Sequence, residues 1–302
     1  MQSDRVDCVT QLTAPDRHRL ATEGAFASAT AIEPQGPGRW QAVVPTGWDV
    51  AGNVNGGVLL AVAGRALSAA TERPDPVTIS GHYLSPAGSG TVDISTEVLK
   101  QGGRFSTARA TLAAAGRPVL TVLGTFGEVG PPADVLLVDG DPPSLPPPDA
   151  CVRIEATEEF PPPFSARVDT RLHPDDATFL EGRPSGRTEM RAWLRLPDDE
   201  PIDSIGLLCL VDAMPPTIFN ADFPIHWTPT IELTTHVRGR PTPGWVRGEA
   251  TTRFITGGFL EIDVEIWDST DQLVAQARQL ALVPRPGPAP HSDVLSGQAG
   301  TA

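Results

Sequence analysis

The sequence states one plan twice, and this duplication restricts the possible folds more than any other feature. Residues 78–129 open on Thr78-Ile79-Ser80, pass through Gly102-Gly103 and close on Val119-Leu120-Thr121-Val122-Leu123. Residues 230–283 open on Thr230-Ile231-Glu232, pass through Gly257-Gly258 and close on Leu273-Val274-Ala275-Gln276-Ala277. The offset is 152 residues at the openings and 155 at the paired glycines, and the Pro241-Thr242-Pro243 loop has room for the difference. Upstream, Asn55-Gly56-Gly57-Val58-Leu59-Leu60 stands against Ser204-Ile205-Gly206-Leu207-Leu208-Cys209 at an offset of 149. Two copies of one domain fused in tandem are expected. Where the copies differ in polar residues, one copy has kept chemistry that the other lacks.

Local patterns fill in the plan. Residues 1–25 are polar and weakly periodic. Phe26 to Val44 reads as two extended segments around Pro34-Gln35-Gly36-Pro37-Gly38. Residues 57–71 are rich in Ala, Leu and Val without proline, which predicts a helix buried on most sides. Strands follow at Thr91–Lys100, Phe105–Leu112 and Val119–Phe126. Seven prolines between Pro131 and Pro148 cannot join a sheet interior, so 130–150 reads as a linker or an extended surface crossing. Beyond it, Phe164–Leu172 and Thr188–Leu196 read as strands, and Ile202 to about Ala213 as a helix stopped by Pro215-Pro216. Thr230–Val237, Val246–Phe254, Leu260–Trp267 and Leu273–Val283 read as four more strands. In the third of these, Leu260, Ile262, Val264 and Ile266 share one face and Glu261, Asp263 and Glu265 the other, as in an antiparallel strand with one wet side. A strand, an apolar helix and then long antiparallel strands is the order of a sheet wrapped around a central helix. Two such sheets can pair edge to edge, so that neither edge stays open.

Bulk properties exclude several function classes. A chain of 302 residues can hold two cores of about 150 residues each. No apolar run approaches the ~20 residues that span a bilayer, and the N-terminus lacks the pattern of a secretory signal. The three cysteines, Cys8, Cys151 and Cys209, are odd in number and lack metal-ligand spacing, so a reducing cytoplasm is the expected compartment. A net charge of −14 argues against non-specific nucleic-acid binding, which needs clustered cations. There is no Gly-x-Ser-x-Gly elbow, Walker loop, Rossmann fingerprint or zinc-like histidine spacing.

The motifs in their order carry a resemblance. Asn55-Gly56-Gly57 opens the first helix, and Gly81-His82-Tyr83-Leu84-Ser85-Pro86 ends the strand after it. Lys100-Gln101-Gly102-Gly103-Arg104 with Ser106-Thr107 forms the next hairpin. In the second half stand Val211-Asp212, Thr230-Ile231, and Leu273-Val274-Ala275 followed by Gln279. Over residues 20–284 the chain resembles the fused double-hotdog acyl-CoA thioesterases, typified by acyl-CoA thioesterase II. The resemblance implies an α+β double hotdog, two tandem hotdog domains at 20–129 and 151–284. By composition, the proline-dense stretch at 130–150 links them, and residues 285–302, rich in Pro, Gly, Ala and Ser, are expected to be a disordered tail. The resemblance also implies hydrolysis of acyl-CoA to free acid and coenzyme A, with no cofactor and no metal. An Asp, a Thr and a Gln of the family, which hold and activate water, fall on Asp212, Thr230 and Gln279. The connection from Asp212 to Thr230 is shorter than in bacterial members of the family, which bears on the shape of the acyl pocket.

The repeat bears on the same three residues. By the offsets above, Asp212 faces Ala63, Thr230 faces Thr78 and Gln279 faces Gly124. This asymmetry points to one site per chain, built in the second copy and walled by the first. Thioester hydrolysis needs an activated water and donors for the developing oxyanion. Asp212 suits the first need, with Thr230 and Gln279 fixing the water's lone pairs. Each residue also has a plainer reading. Asp212 at the end of its own helix opposes that helix's dipole, Gln279 is a strand residue among Ala275, Ala277 and Ala281, and threonine is common in strands. Asn55, Gly56 and Gly57 either offer backbone N–H groups to the thioester carbonyl or allow close helix packing. His82 is a candidate acid/base group or a structural strand histidine. Arg104 either meets coenzyme A phosphates or is a solvated hairpin charge. Asp49 and Asn53 suit a turn. Two other functions stay open: a hotdog enoyl-CoA hydratase or dehydratase, which wants an Asp-and-His arrangement, and a non-catalytic acyl-binding protein. The expected partners are acyl-CoA and, through sheet or helix faces, further copies of the chain.

Overall fold

The computed structural model describes residues 25–130, 137–157, 160–221, 223, 225 and 227–283. The expectations for residues 1–24 and for the tail from 285 lie outside these. The first half contains α1 (Ala25–Ala29), β1 (Glu33–Gly36), β2 (Arg39–Val44), β3 (Asp49–Val50), β4 (Asn53–Val54), α2 (Gly56–Thr71), β5 (Asp75–Tyr83), β6 (Gly90–Lys100), β7 (Ser106–Ala114) and β8 (Arg117–Gly127). The second contains β9 (Val152–Arg153), β10 (Asp169–Leu172), β11 (Glu189–Arg195), α3 (Gly206–Leu210), β12 (Thr230–Val237), β13 (Val246–Thr251), β14 (Ile255–Thr256), β15 (Phe259–Trp267) and β16 (Leu273–Leu282).

One 14-stranded sheet runs through both halves in the order β1-β2-β6-β7-β8-β5-β12-β16-β15-β13-β11-β10-β9, with β14 on β15. Its middle is the antiparallel pair β5–β12, with Gly81 opposite Leu233 and Ile79 opposite Thr235. The open edge of each copy is therefore covered by the other, as the repeat predicts. The architecture is the double hotdog.

Helix α2 is the rod of the first half. Asn55 caps it, its Oδ1 accepting from Val58 N at 3.1 Å. Eleven of its sixteen residues are buried against β5–β8 and α3. Close approach of α2 and α3 depends on glycine. A Cβ on Gly57 would lie 2.9 Å from Asp212 Cβ and from the Leu208 and Cys209 carbonyls, and one on Gly64 would lie 2.9 Å from Leu208 Cδ1. The tight packing that the glycines permit is thus against the other copy's helix.

Three local expectations are corrected. Phe26 lies in the first turn of a helix rather than in a strand, because its N–H and that of Ala27 donate to the Glu200 carboxylate at 2.9 and 2.7 Å. That cap comes from 174 residues away. The stretch Phe164–Leu172 is a strand only from Asp169. Pro161-Pro162-Pro163 withhold backbone donors, and a 3-10 turn at Pro163–Ala166 precedes β10. The second helix holds only five residues, Gly206–Leu210. Past Leu210 the ladder tightens, with Asp212 N and Ala213 N donating three residues back to the Cys209 and Leu210 carbonyls at 3.1 and 3.2 Å; Pro215-Pro216 bar a return to α-helix, and a 3-10 segment follows at Thr217–Asn220.

The strand register aligns the two copies. One residue is bulged between Pro76 and Thr78 where β5 meets β8, and one between Thr230 and Glu232 where β12 meets β16. Matching these bulges pairs Thr230 with Pro76 rather than Thr78, and Gln279 with Gly124. The loss of polar groups from the first copy is deeper than the sequence offsets suggest.

Candidate active site

Asp212 follows α3 by two residues and points at the start of α2. Its Oδ2 accepts from Gly57 N at 2.9 Å and from Asn55 Nδ2 at 3.0 Å, and its Oδ1 accepts from Gln279 Nε2 at 2.8 Å. Asn55 Nδ2 also reaches the Asp212 carbonyl at 3.1 Å. The dipole objection to this carboxylate is thereby answered. Its own helix is little more than one turn, while the positive end of the sixteen-residue α2 faces it. Burial nevertheless dominates over these three hydrogen bonds and pushes the Asp212 carboxyl up to about 6.

Gln279 and Thr230 complete the group. Gln279 Nε2 donates to Thr230 Oγ1 at 2.7 Å as well as to Asp212. A carboxylate only accepts, so the amide nitrogen must face it and both its protons are spent. Gln279 shares its face of β16 with Ala275, Ala277 and Ala281, all buried. The bulge at Ile231 places Thr230 beside it. Leu233, Thr235 and Val237 face inward along β12, so unbroken alternation would turn residue 230 outward. One inserted residue reverses that and sets Thr230 opposite Ala281, on the inner face.

These three side chains line a cleft of about 790 Å³ between the halves. Val54, Asn55, Gly56 and Leu59 form one wall. Met214, Phe219 and Trp227 lie on the broken segment after α3, and Ala250, Ile262 and Val264 on the inner face of β13 and β15. A cleft of this size, largely apolar with a few convergent polar groups, is the usual form of a small-molecule site.

The family profile of the acyl-CoA thioesterase N-terminal domain matches residues 44–127, and that of the acyl-CoA thioesterase C-terminal domain matches residues 148–283. The fold is similar to a solved protein of Thermobifida fusca YX assigned to thioesterase II. That similarity has a TM-score of 0.79 and 32% identity over 87% of this chain and 99% of that one. The chain belongs to the acyl-CoA thioesterase family. A conserved protein of unknown function with a hot dog fold from Alicyclobacillus acidocaldarius is similar in fold, with a TM-score of 0.72 at 21% identity over 87% and 99% of the two chains. An uncharacterized protein of Mycobacterium tuberculosis H37Rv is 27% identical over 258 residues, 78% of this chain and 88% of that one.

The structure brings Asp212, Thr230, Gln279, Asn55, Gly56 and Gly57 together and leaves two expected residues outside. His82 is exposed and pairs with Glu232 across β5–β12. Gly81 faces Leu60 of α2, so strand alternation turns His82 to the outer surface. Arg104 is exposed in the β6–β7 turn, stacked over Phe105 at 5.0 Å, and lines no part of the cleft. Gly57 N–H is not available to a thioester carbonyl because Asp212 holds it. The residue that sequence reasoning missed is Tyr83. It lies in the cleft wall, donates from its hydroxyl to the Gly56 carbonyl at 2.8 Å, and has its pKa raised well above the ordinary value by burial and by Asp212. The available signal was parity: Gly81 and Tyr83 share the inner face, and the histidine between them does not. Among the described residues, no helix is long and apolar enough to cross a membrane.

Proposed function

We propose that the chain hydrolyses acyl-CoA to free acid and coenzyme A at one site per chain, at the seam of its two copies. The observation that carries this reading is the hydrogen-bonded series Asp212–Gln279–Thr230 on the wall of an apolar cleft. Among the described residues Asp212 Oδ1 has one protein partner, which leaves a lone pair for water. Thr230 Oγ1 accepts from Gln279, so its own proton is free to hold the same water by a lone pair. The water gives a proton to Asp212 as its oxygen bonds to the thioester carbon. The tetrahedral oxyanion collapses, the C–S bond breaks, and the thiolate recovers the proton as coenzyme A. Among the described groups, Gly56 N–H at the α2 N-terminus has no protein partner, and we assign it to the oxyanion. Tyr83, gripping the Gly56 carbonyl, fixes that peptide. Gln279, with both amide protons spent, orients the other two residues.

Supporting the base role, a carboxyl near 6 is both ionised at neutral pH and a better proton acceptor than an ordinary aspartate. A hydratase is less favoured, because His82, the partner that chemistry wants, faces the other side of the sheet. We place the chain in the cytoplasm, given Cys151 and Cys209 as free thiols, and divide it into hotdog domains at 20–129 and 151–284.

Steady-state hydrolysis of an acyl-CoA panel by wild type and Asp212→Ala tests the mechanism. Loss of about 10²–10⁴-fold in kcat/KM with the melting transition retained is expected. An unchanged rate in the folded variant rules the mechanism out.

A further inference from the structure

The two copies treat the inner face of their sheets differently. In the first, α2 covers it, and Ile79, Ile94, Ala110, Leu112 and Leu120 are buried. In the second, the helix ends after five residues where α2 has sixteen. At 1.5 Å per residue, about 16 Å of rod is missing. There Ala250, Ile262 and Val264, also buried, line the cleft.

The far wall of this space is built and braced. Phe219 lies on the 3-10 turn after the proline pair, with the Phe179 ring 5.8 Å away and the Phe160 ring 6.1 Å away. Asp176, fully buried, holds the supporting turns in place. Its carboxylate accepts from Arg191 Nε at 2.8 Å and Arg187 Nη2 at 2.9 Å, and its carbonyl accepts from Asn220 Nδ2 at 2.9 Å.

The register gives the space a direction. Gln279 stands opposite Ile262 on β15, and Val264, two residues further along, stands opposite Ala250 on β13. With strands ~4.8 Å apart and a rise of ~3.3 Å per residue, Val264 is about 8 Å and Ala250 about 12 Å from Gln279. Each bond of an extended chain advances roughly 1.2 Å.

We propose that the acyl chain runs from the Asp212–Thr230–Gln279 group across the inner face of the second copy, in the volume of the missing helical turns. Val264 and Ala250 are its depth markers. The track is apolar at these positions and accepts a chain of at least ten carbons. This rests on the thioester-hydrolysis reading and adds the location of the acyl group and the residues that gauge it.

The test is kcat/KM for saturated acyl-CoAs from four to sixteen carbons in wild type, Val264→Phe and Ala250→Phe, with melting temperatures. Each variant is expected to keep short substrates within about threefold. Val264→Phe is expected to lose at least tenfold beyond about six or seven carbons, and Ala250→Phe beyond about ten. Equal losses at all lengths, or the same break in both variants, would overturn the proposal. If either phenylalanine prevents folding, Val264→Leu and Ala250→Leu give the same ordered breaks at smaller amplitude. If wild type hydrolyses no acyl-CoA, the hydrolysis reading fails on its own. Calorimetric binding of the same panel then decides the track: ordered breaks in affinity support it, and affinities falling alike at every length overturn it.

Discussion

The two copies share a strand plan, a bulge at the same place and a pairing across the seam, yet a long helix covers the inner face of one and a cleft reaches that of the other. The first copy spends its inner face on α2, with Leu60, Ala63 and Leu67 fully buried. The second ends its helix at Leu210, and a cleft reaches that face. Neither copy is a site alone. The carboxylate comes from the second, while two of its three donors, Gly57 N and Asn55 Nδ2, come from the first. Duplication therefore allowed a division of labour. One copy became scaffold and lent a helix N-terminus, and the other gave up packing for space. Asp75 of the first copy, accepting from Ser204 Oγ at 2.7 Å and Arg240 Nη2 at 2.8 Å of the second, helps keep the seam closed.

The sharpest way to break the comparison is to make the second copy resemble the first at β16. Gln279→Gly installs the residue that occupies the matching position, Gly124. It removes both hydrogen bonds that tie Asp212 to Thr230. A fall of about 100-fold in kcat/KM is expected, the size of losing one positioned polar group in a site of this kind. The reciprocal Gly124→Ala adds a methyl that meets the Phe126 ring at 2.7 Å. It should lower the melting temperature and leave kcat/KM per folded enzyme within about twofold. Comparable catalytic losses from both changes would mean that the first copy also carries chemistry.

Much of this division was legible in the sequence, and its limits have physical causes. The repeat, α2 and the long strands show in hydrophobic periodicity because burial repeats at the period of the backbone. Asp212, Thr230 and Gln279 were reached through the family resemblance and the asymmetry of the repeat. The position of Thr230 could not be read locally. Alternation from Leu233 turns it outward, and only a bulge, invisible in residue type, turns it in. The donors of Asp212 were hidden because they lie 155 and 157 residues away. Glycines 56 and 57 were noticed, but which N–H faces the substrate depends on which one the carboxylate already holds.

The second prediction concerns charge. With the Asp212 carboxyl pushed up to about 6, the protonated, inactive form accumulates below that pH. The logarithm of kcat/KM should fall with unit slope beneath about pH 6, close to tenfold per pH unit, and be flat from 7 to 8. Stability runs the opposite way. A native pKa above the unfolded value means that the native state binds the extra proton between about pH 4 and 6, so this group's contribution favours folding below about 4 and is lost as pH rises through 6. Relative to Asp212→Asn, wild type should gain stability as pH falls from 7.5 to 4. A rate profile that stays flat to pH 4.5 would show that the base lies elsewhere.

The smallest expected effect is also the cleanest check on which face of the sheet matters. His82 and Tyr83 are neighbours in sequence on opposite sides of β5, and Arg104 sits at the tip of a first-copy hairpin. His82→Ala removes an exposed ring opposite Glu232, whose carboxylate keeps its Ser80 partner at 2.8 Å. Arg104→Ala removes a stack on Phe105. Neither touches the cleft, so kcat should stay within about twofold in both, and exposed sites of this kind shift stability by about 0.5 kcal/mol or less. Tyr83→Phe is the contrast, since it cuts the hydroxyl from the Gly56 carbonyl and keeps the ring in the wall. It should lower kcat by about tenfold with little change in KM, because a loosened Gly56 peptide costs more in the transition state than in the bound substrate. A larger loss from His82→Ala than from Tyr83→Phe would reverse the assignment of inner and outer faces on which the seam site depends.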